Sequence, residues 1–314
     1  MRPAADRWTP ADLPDLAGRT VVVTGPSAGG LGHFTALELA RRRARVVLAG
    51  RRPERLADSA SAIRAEVPDA ELEQVVVDLA DLASVRRAAA DLAATGPLDV
   101  LVNNAGVMGT PYRRTGDGLE LQMATNHFGP FLLTGLLLPQ LVASGAGRVV
   151  AVSSQMHRYT ARRAPLGDPR VQEGRYERWT VYGQTKLANL LFTYELDRRL
   201  RRAGLPVKAL AAHPGFASTH LAANGQYGRT TGGAASILDA AIKAVSPSTP
   251  AKGAWPTLMA ATADLPGATY VGPDGLFEWG GAPRVTTSSR LSHDETAQRR
   301  LWQRSEEVTG IRYP

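Results

Sequence analysis

Short runs of β-branched and apolar residues alternate along this chain with segments whose apolar residues recur at helical spacing. The runs have the length of buried strands, and each is followed by a helical segment. This alternation predicts an α/β fold: a single Rossmann-type, doubly wound parallel sheet flanked by helices, with a C-terminal extension. Strands are predicted at 20–24, 45–50, 72–77, 98–102, 148–152 and 208–212, and helices at 34–43, 53–66, 81–94, 119–138, 182–200, 234–245, 253–263 and 295–309.

The whole chain, 1–314, is expected to form one domain, because neither an internal repeat nor a second boundary interrupts the pattern. Residues 1–18 form an irregular lead-in, and residues 155–180 an insert rich in Arg, Pro and Gly. Within the insert His157 is expected to be solvated or to cap a helix, and Tyr176 and Trp179 to pack. Residues 270–279 have strand character, with a turn inside them.

Glycines cluster between the first predicted strand and the first helix, at Gly25, Gly29 and Gly30. A strand, a glycine-rich turn and a helix start can place a pyrophosphate on backbone N–H groups, where a Cβ would block its approach. A glycine-rich loop alone can equally be an ordinary turn. A dinucleotide site therefore depends on what the other strands carry at the same edge.

The second predicted strand ends in Arg51-Arg52, without the acidic residue that would take the ribose 2′-hydroxyl of NAD. A nearby arginine suits the 2′-phosphate instead. The alternative is that Arg51 is simply a surface charge. The pattern favours NADP(H) over NAD(H).

Two features away from the glycine turn have both a structural and a functional interpretation. Asn126 lies in an apolar helical run, so its amide needs partners or has a role. Tyr182 and Lys186 stand one helical turn apart, so the ammonium can favour the ionised phenol. Pairs with this spacing are usually surface pairs, and only the rest of the chain can decide.

Composition limits the alternatives. The net charge of +8 would fit nucleic-acid binding, but arginines are scattered and only four lysines occur, so no basic stripe with interleaved aromatics is present and no nucleic-acid partner is expected. The absence of cysteine excludes disulfides and thiolate metal sites, and no metal site is predicted. No apolar run reaches the length of a membrane span, so a cytoplasmic protein is expected.

With these features in place, the chain resembles the short-chain dehydrogenase/reductase family. The insert between Ser154 and Tyr182 and the continuation 186–189 resemble its retinol-dehydrogenase-like branch. The matching motifs are Thr24-Gly25 with Gly29, Gly30 and Gly32; Asp78-Leu79; Asn103-Asn104-Ala105-Gly106; Asn126; Ser153-Ser154; Tyr182-Gly183-Gln184-Thr185-Lys186; and Pro214-Gly215 with Thr219.

The resemblance implies four catalytic residues. Tyr182 would be the general acid or base, and Lys186 would lower its pKa and hold the nicotinamide ribose. Ser154, chosen over Ser153 by its spacing from Arg148, would bond the substrate oxygen, and Asn126 would anchor a water. The cofactor-binding residues implied in the same way are Gly25, Ser27, Gly29, Gly30, Leu31, Arg51, Arg52, Asp78, Leu79, Asn104, Ala105, Gly106, Tyr182, Lys186, Pro214, Gly215 and Thr219.

The implied function is an NADP(H)-dependent carbonyl reductase or alcohol dehydrogenase acting on an apolar ketone, aldehyde or secondary alcohol, a small-molecule partner. One departure is that the glycine loop is one residue longer than the family's usual loop. This departure supports an alternative, a catalytically silent dinucleotide-binding regulator or scaffold. By analogy, residues 220–260 would form a substrate lid, and helices at 128–141 and 182–200 would pair in a homodimer or homotetramer.

Overall fold

A computed structural model describes residues 7–159, 176–216 and 248–314. Within these residues eight strands form one sheet. The strands are β1 Thr20–Thr24, β2 Arg45–Gly50, β3 Leu72–Val76, β4 Val100–Asn103, β5 Gly147–Val152, β6 Val207–Ala212, β7 Tyr270–Pro273 and β8 Pro283–Thr286. Their order across the sheet is β3-β2-β1-β4-β5-β6-β7-β8, and every pairing is parallel except that of β7 with β8.

The strand order reverses at β1, which pairs with β2 on one side and with β4 on the other. In register, Val22 of β1 lies between Val47 and Leu101, and all three side chains are buried. In a doubly wound sheet such a switch point opens a crevice at the carboxyl ends of the strands. The predicted fold class is confirmed, and the crevice lies where the sequence places the glycine turn.

Helices cover both faces of the sheet because each carries one apolar face. One layer contains α1 Leu31–Arg41 and α2 Pro53–Glu66, and the other contains α3 Leu82–Ala93. No helix within the described ranges is both long and apolar enough to cross a membrane. The remaining helices are α4 Leu121–Met123, a π-helical turn at Ala124–Phe128, α5 Gly129–Ala143, α6 Met156–Tyr159, α7 Arg178–Arg202, α8 Pro250–Thr262 and α9 Glu295–Thr309.

The segment after Tyr270 differs from the sequence prediction of one strand-like stretch over 270–279. Strand β7 ends at Pro273, and Leu276–Glu278 forms a 3-10 turn in which Phe277 and Glu278 have φ of +53° and +57°. That left-handed conformation is incompatible with a strand. Strand β8, which follows this turn, was not predicted because Arg284 and Val285 at its centre are both exposed, so its sequence does not alternate.

The predicted lid lies partly outside the described residues, which omit 217–247. Its end, 250–260, forms most of α8, which packs on the sheet instead of covering a substrate, because Ala254, Leu258 and Ala260 are fully buried in the core.

The lead-in joins the same core layer through Leu13, which is buried, and Trp8, which is partly buried.

The C-terminus covers part of the helical layer formed by α5 and α7. Trp302 of α9 packs on Phe131 of α5, with ring centroids 5.0 Å apart, and stacks on Phe192 of α7. Tyr313 packs on Trp302 at 4.7 Å and donates a hydrogen bond to the Phe131 carbonyl oxygen. Any pairing of these helices between subunits would have to use the surface that α9 leaves open.

Trp302→Ala is expected to destabilise the fold by about 3–5 kcal/mol, because it removes a buried aromatic side chain and leaves a cavity among rigid rings. The matched control is Gln303→Ala at the neighbouring exposed position, for which a change within about 0.5 kcal/mol is expected. Urea unfolding followed by circular dichroism measures both. Equal costs for the two variants would contradict the role assigned to Trp302.

Candidate active site

The ends of β1 and β4 are held together by hydrogen bonds at the switch point. The Thr24 hydroxyl accepts from the backbone N–H groups of Asn104 and Ala105, each at 3.0 Å. The Asn104 amide donates to the carbonyl oxygens of Thr24 at 2.8 Å and Gly25 at 3.2 Å. Gly25 has a φ of +68°, and a Cβ there would lie 2.8 Å from the Ala105 Cα. Only glycine fits this close approach.

The glycine turn leads directly into α1. Gly29 adopts a φ of +74°, and the Gly30 N–H donates to the carbonyl oxygen of the exposed Ser27 at 2.9 Å. Gly30 is the N-cap and has no side chain to satisfy the N–H groups that begin at Leu31. The predicted longer turn therefore still ends in a helix N-terminus that can bind an anion such as a pyrophosphate.

Both arginines after β2 lie at the surface next to this turn. Arg51 and Arg52 are exposed, and Arg52 is the N-cap of α2. Gly50, which precedes them, lies against the turn, since a Cβ there would be 3.7 Å from the Pro26 ring. Two cations beside an anion-binding turn can bind a phosphate group.

Asp78 and Leu79 follow β3 at the same edge. The partly exposed Asp78 accepts a hydrogen bond from the Ala80 N–H at 2.9 Å. Leu79 is buried, and its carbonyl oxygen would lie 2.2 Å from a Cβ at Gly129. Leu79 therefore anchors the segment on α5, which leaves the Asp78 carboxylate at the crevice.

Tyr182, Lys186 and Ser154 meet where β5 ends against α7. The Ser154 hydroxyl lies close enough to the Tyr182 phenol to lower its pKa as a hydrogen-bonding neighbour. The Lys186 ammonium lies 5.7 Å from the centroid of the Tyr182 ring and donates to the Val152 carbonyl oxygen at 3.0 Å. Asn189 donates to that same oxygen at 3.1 Å. This arrangement places a phenol, a hydroxyl and a cation around one point.

Burial dominates the ionisation of the pair. It raises the pKa of Tyr182 to about 12, although the hydrogen bond from Ser154 acts in the opposite direction. Burial also lowers the pKa of Lys186 to about 8. The sequence led us to expect a lowered tyrosine pKa. In the structure the phenol is neutral at neutral pH, because the energetic cost of removing a phenolate from water is larger than the stabilisation that the nearby ammonium gives it.

Asn126 lies in the π-helical turn and braces two parts of the site. Its amide nitrogen donates to the Val107 carbonyl oxygen and to the Thr185 hydroxyl, each at 2.9 Å, and its oxygen accepts from the Val107 N–H at 2.8 Å. A Cβ at Gly106 would lie 3.0 Å from that oxygen and 3.6 Å from the Lys186 ammonium. The side chain thus keeps the chain after β4 close to Lys186, and one lone pair of Oδ1 remains for a further donor.

Ser153 and His157 make hydrogen bonds to the backbone of the site that the sequence did not predict. The buried Ser153 hydroxyl donates to the Lys186 carbonyl oxygen at 2.8 Å, so it is directed away from Tyr182. His157 is buried inside the short helix α6 and is not solvated, and its pKa is lowered to about 4 by burial. Its Nε2 accepts from the Ser289 N–H, so its Nδ1 carries the proton and donates to the Ser154 carbonyl oxygen. The partners of these two side chains, Lys186 and Ser289, are distant in the sequence, so no local pattern predicts the bonds.

Pro214 and Gly215 follow β6 and face the C-terminal extension. Gly215 has a φ of +71°, and a Cβ there would lie 2.6 Å from the Trp279 carbonyl oxygen. Thr219, the last member of the predicted cofactor set, lies outside the described residues. In the insert, Trp179 packs against Gly109 and the Tyr176 hydroxyl donates to the Thr110 carbonyl oxygen, so both aromatic residues have packing roles.

The model of the short chain dehydrogenase family matches residues 19–165. Human retinol dehydrogenase 13 is 38% identical over 308 residues, which cover 95% of this chain and 87% of that protein. The crystal structure of an uncharacterized protein from Mycobacterium paratuberculosis is similar with a TM-score of 0.79 and 43% identity, covering 98% of this chain and 99% of that one.

A second solved structure bears on ligands. It is a protein from Beutenbergia cavernae, described as an NAD(P)-dependent gluconate 5-dehydrogenase, with NADP bound at low occupancy. It is 29% identical to this chain with a TM-score of 0.57, and the match covers 79% of this chain and 91% of that one. The NADP is a property of that protein, and what it implies for this chain depends on the residues at the crevice.

Lys186→Met is expected to stabilise the protein at pH 7 by roughly 1–3 kcal/mol, because the buried ammonium is replaced by an apolar side chain of similar length. In the wild type, the folded state loses the lysine proton near pH 8 and the unfolded state only near pH 10.5. The contribution of Lys186 to the wild-type free energy of unfolding therefore rises between pH 8 and pH 10.5. The gain from the substitution should therefore shrink as pH approaches 10.5.

Thermal and urea unfolding at pH 7 and pH 10 measure this difference, each variant being compared with wild type at the same pH. Lys252→Met, at an exposed position, is the matched control and should show neither effect. A gain that is the same at both pH values would show that burial does not depress the Lys186 pKa.

Proposed function

The chain belongs to the short-chain dehydrogenase/reductase family and to its retinol-dehydrogenase-like branch, and from that membership we propose that it is an NADP(H)-dependent oxidoreductase. The proposed reaction transfers a hydride between the nicotinamide and an apolar ketone, aldehyde or alcohol. The observation that carries the proposal is the Tyr182–Ser154 hydroxyl pair, with the Lys186 ammonium beside it.

Several features of the crevice fit a dinucleotide with a 2′-phosphate. The N-terminus of α1 after Gly30 offers unpaired N–H groups to a pyrophosphate. Arg51 and Arg52 offer cations to the 2′-phosphate, and the NADP in the Beutenbergia relative is in keeping with that choice. The other residues proposed to hold the cofactor are Ser27, Gly29, Leu31, Asp78, Leu79, Asn104, Gly106, Pro214, Gly215 and Thr219.

The buried ammonium of Lys186 gives a second indication of fit. Among the described residues it donates to one acceptor, the Val152 carbonyl oxygen, and an ammonium has three donors. A buried cation with donors to spare is costly unless a ligand accepts from it. Ribose hydroxyls of a bound dinucleotide would supply those acceptors.

NADPH supplies the hydride when it is bound. During carbonyl reduction Tyr182 donates its phenolic proton to the substrate oxygen, and Ser154 donates a hydrogen bond to the same oxygen as negative charge develops there. A phenol whose pKa is raised to about 12 is fully protonated at neutral pH, and it is still a far stronger acid than an alcohol. Carbonyl reduction near neutral pH therefore starts from the correct protonation state.

Alcohol oxidation needs the opposite state of Tyr182, the phenolate. The Lys186 ammonium, 5.7 Å from the centroid of the phenol ring, stabilises that anion, and Asn126 donates a hydrogen bond to the neighbouring Thr185. We propose that Asn126 holds a water through the lone pair of Oδ1 that its protein partners leave, and that this water returns a proton to the site. Oxidation is accordingly expected to gain rate as pH rises toward 8, above which Lys186 loses the charge that stabilises the phenolate.

The proposed substrate class is an apolar carbonyl compound or the corresponding alcohol. Retinol, the substrate named for the human relative, is a long apolar alcohol. In this chain the aromatic residues Trp179, Phe216 and Trp279 lie next to the proposed site, against Gly109 and the Pro214-Gly215 turn. Aromatic walls suit an apolar substrate better than a charged one.

Tyr182→Phe is expected to lower carbonyl reduction by about 10²–10⁴-fold, because it removes the proton donor and keeps the ring. The measurement is NADPH consumption with a panel of apolar ketones and aldehydes that includes retinal. Tyr194→Phe, which removes another buried hydroxyl from the same helix, is the matched control and should retain activity. A fully active Tyr182→Phe protein would refute the mechanism, and NADPH binding without turnover of any carbonyl by the wild type would favour a catalytically silent regulator.

Arg51→Glu is expected to lower the ratio of kcat/KM for NADPH to that for NADH by roughly 10- to 100-fold, because a carboxylate repels the 2′-phosphate. Arg300→Glu on α9 makes the same change of net charge at an exposed position far along the chain and should leave the ratio unchanged. If Arg51→Glu and Arg300→Glu behave alike, the 2′-phosphate does not bind at the end of β2.

A further inference from the structure

The turn between β7 and β8 lies directly against the Pro214-Gly215 turn. The Phe216 N–H donates to the Trp279 carbonyl oxygen at 2.8 Å. A Cβ at Gly215 would lie 2.9 Å from the Glu278 carbonyl oxygen. One side of the proposed site is therefore shaped by the C-terminal extension, beyond the residues that the family model matches.

Within this turn, the Glu278 carboxylate joins three separate segments. Its Oε2 accepts hydrogen bonds from the His213 Nε2 at 3.0 Å and from the Gln155 amide, and its Oε1 accepts from the Thr286 hydroxyl. Gln155 directly follows Ser154, and His213 directly precedes Pro214. The carboxylate thus connects the segment that presents the Ser154 hydroxyl with the turn that follows the neighbouring strand β6.

The His213 ring passes this constraint on to Gly215. The Gly215 N–H donates to Nδ1 at 3.2 Å, so Nδ1 is the acceptor and Nε2 carries the proton that goes to Glu278. The ring is fully buried, and a Cβ at Gly272 would lie 2.0 Å from its Nε2. The ring therefore cannot change its orientation without losing both bonds.

The backbone around Glu278 is strained to make these contacts. Phe277 and Glu278 both have positive φ, which residues with side chains rarely adopt and which costs on the order of 1 kcal/mol or more for each residue. Two such residues in succession persist only where the surroundings hold them, and they cluster at functional sites. The strain aims the carboxylate inward, whereas the neighbouring Leu276 and Phe277 side chains are exposed.

We propose that Glu278 is a positioning residue that sets the spacing between Ser154 and the Pro214-Gly215 turn, through Gln155 on one side and His213 on the other. The proposal rests on the proposed function, because it gives these two segments the substrate oxygen and the nicotinamide to align. What the geometry requires of Glu278 is an acceptor for two donors at Oε2. A glutamine can still provide that acceptor, and the Thr286 hydroxyl can turn to accept from its amide nitrogen.

The test compares Glu278→Ala, Glu278→Gln and the control Glu307→Ala, whose exposed carboxylate pairs only with Arg304 among the described residues. Wild-type NADPH-dependent turnover of a ketone is measured first. Glu278→Ala is expected to lower kcat by roughly 10- to 100-fold, since misplacement by a fraction of an ångström is costly at a reacting centre. Its deuterium isotope effect with 4-deuterated NADPH should rise, because hydride transfer becomes slower than the other steps.

Glu278→Gln should recover most of the lost rate, and Glu307→Ala should match the wild type. The double variant Gln155→Ala/Glu278→Ala should have a kcat only slightly lower than that of Glu278→Ala alone, because both substitutions break the same connection between Gln155 and Glu278. Normal kcat and an unchanged isotope effect in Glu278→Ala, with only a lower Tm, would overturn the proposal. Failure of the wild type to turn over any carbonyl would instead refute the proposed function.

Discussion

The arrangement of the site depends on one buried cation. The ammonium of Lys186 lies inside the protein beside the end of β5, and the Val152 carbonyl oxygen that accepts from it also accepts from Asn189. Taking a charge out of water is among the most expensive steps in folding, so the segments around it are fixed closely. Ser153 bonds the backbone of Lys186 itself, and Asn126 holds the neighbouring Thr185. A cost of this kind is retained where the charge has a use.

The site is completed from two distant parts of the sequence. The strands from β1 to β6 supply a parallel edge with its glycine turn and its Tyr, Ser and Lys residues. The extension after β6 then returns with β7 and β8 at the β6 edge of the sheet, and Glu278 and Ser289 contact the segment around Ser154. The common fold thus brings Tyr182, Lys186 and Ser154 together, and the extension contacts the segment that carries Ser154.

Local patterns in the sequence predict the sheet and one edge of the site. The runs of apolar residues predict the strands and therefore the sheet. Because parallel strands share one carboxyl edge, the sequence also predicts one crevice for Gly25, Asp78, Asn104 and Ser154. The π-helical turn around Asn126 was missed because its Gly129 N–H to Ala124 carbonyl bond leaves no mark on a 3.6-residue pattern. The contacts of Glu278 were missed for another reason: its partners His213 and Gln155 are 65 and 123 residues away along the chain. No local signal can report such distances.

The covering of α5 and α7 by the C-terminus has a consequence for how the protein responds to dilution. Trp302 and Tyr313 fill the hollow on these helices from within the same chain, and a Cβ at Gly135 would lie only 2.6 Å from the Tyr313 ring. Contacts supplied by a partner subunit are lost as protein concentration falls, whereas contacts within one chain are not. The contacts of Trp302 and Tyr313 with α5 and α7 are therefore supplied within one chain and do not weaken on dilution.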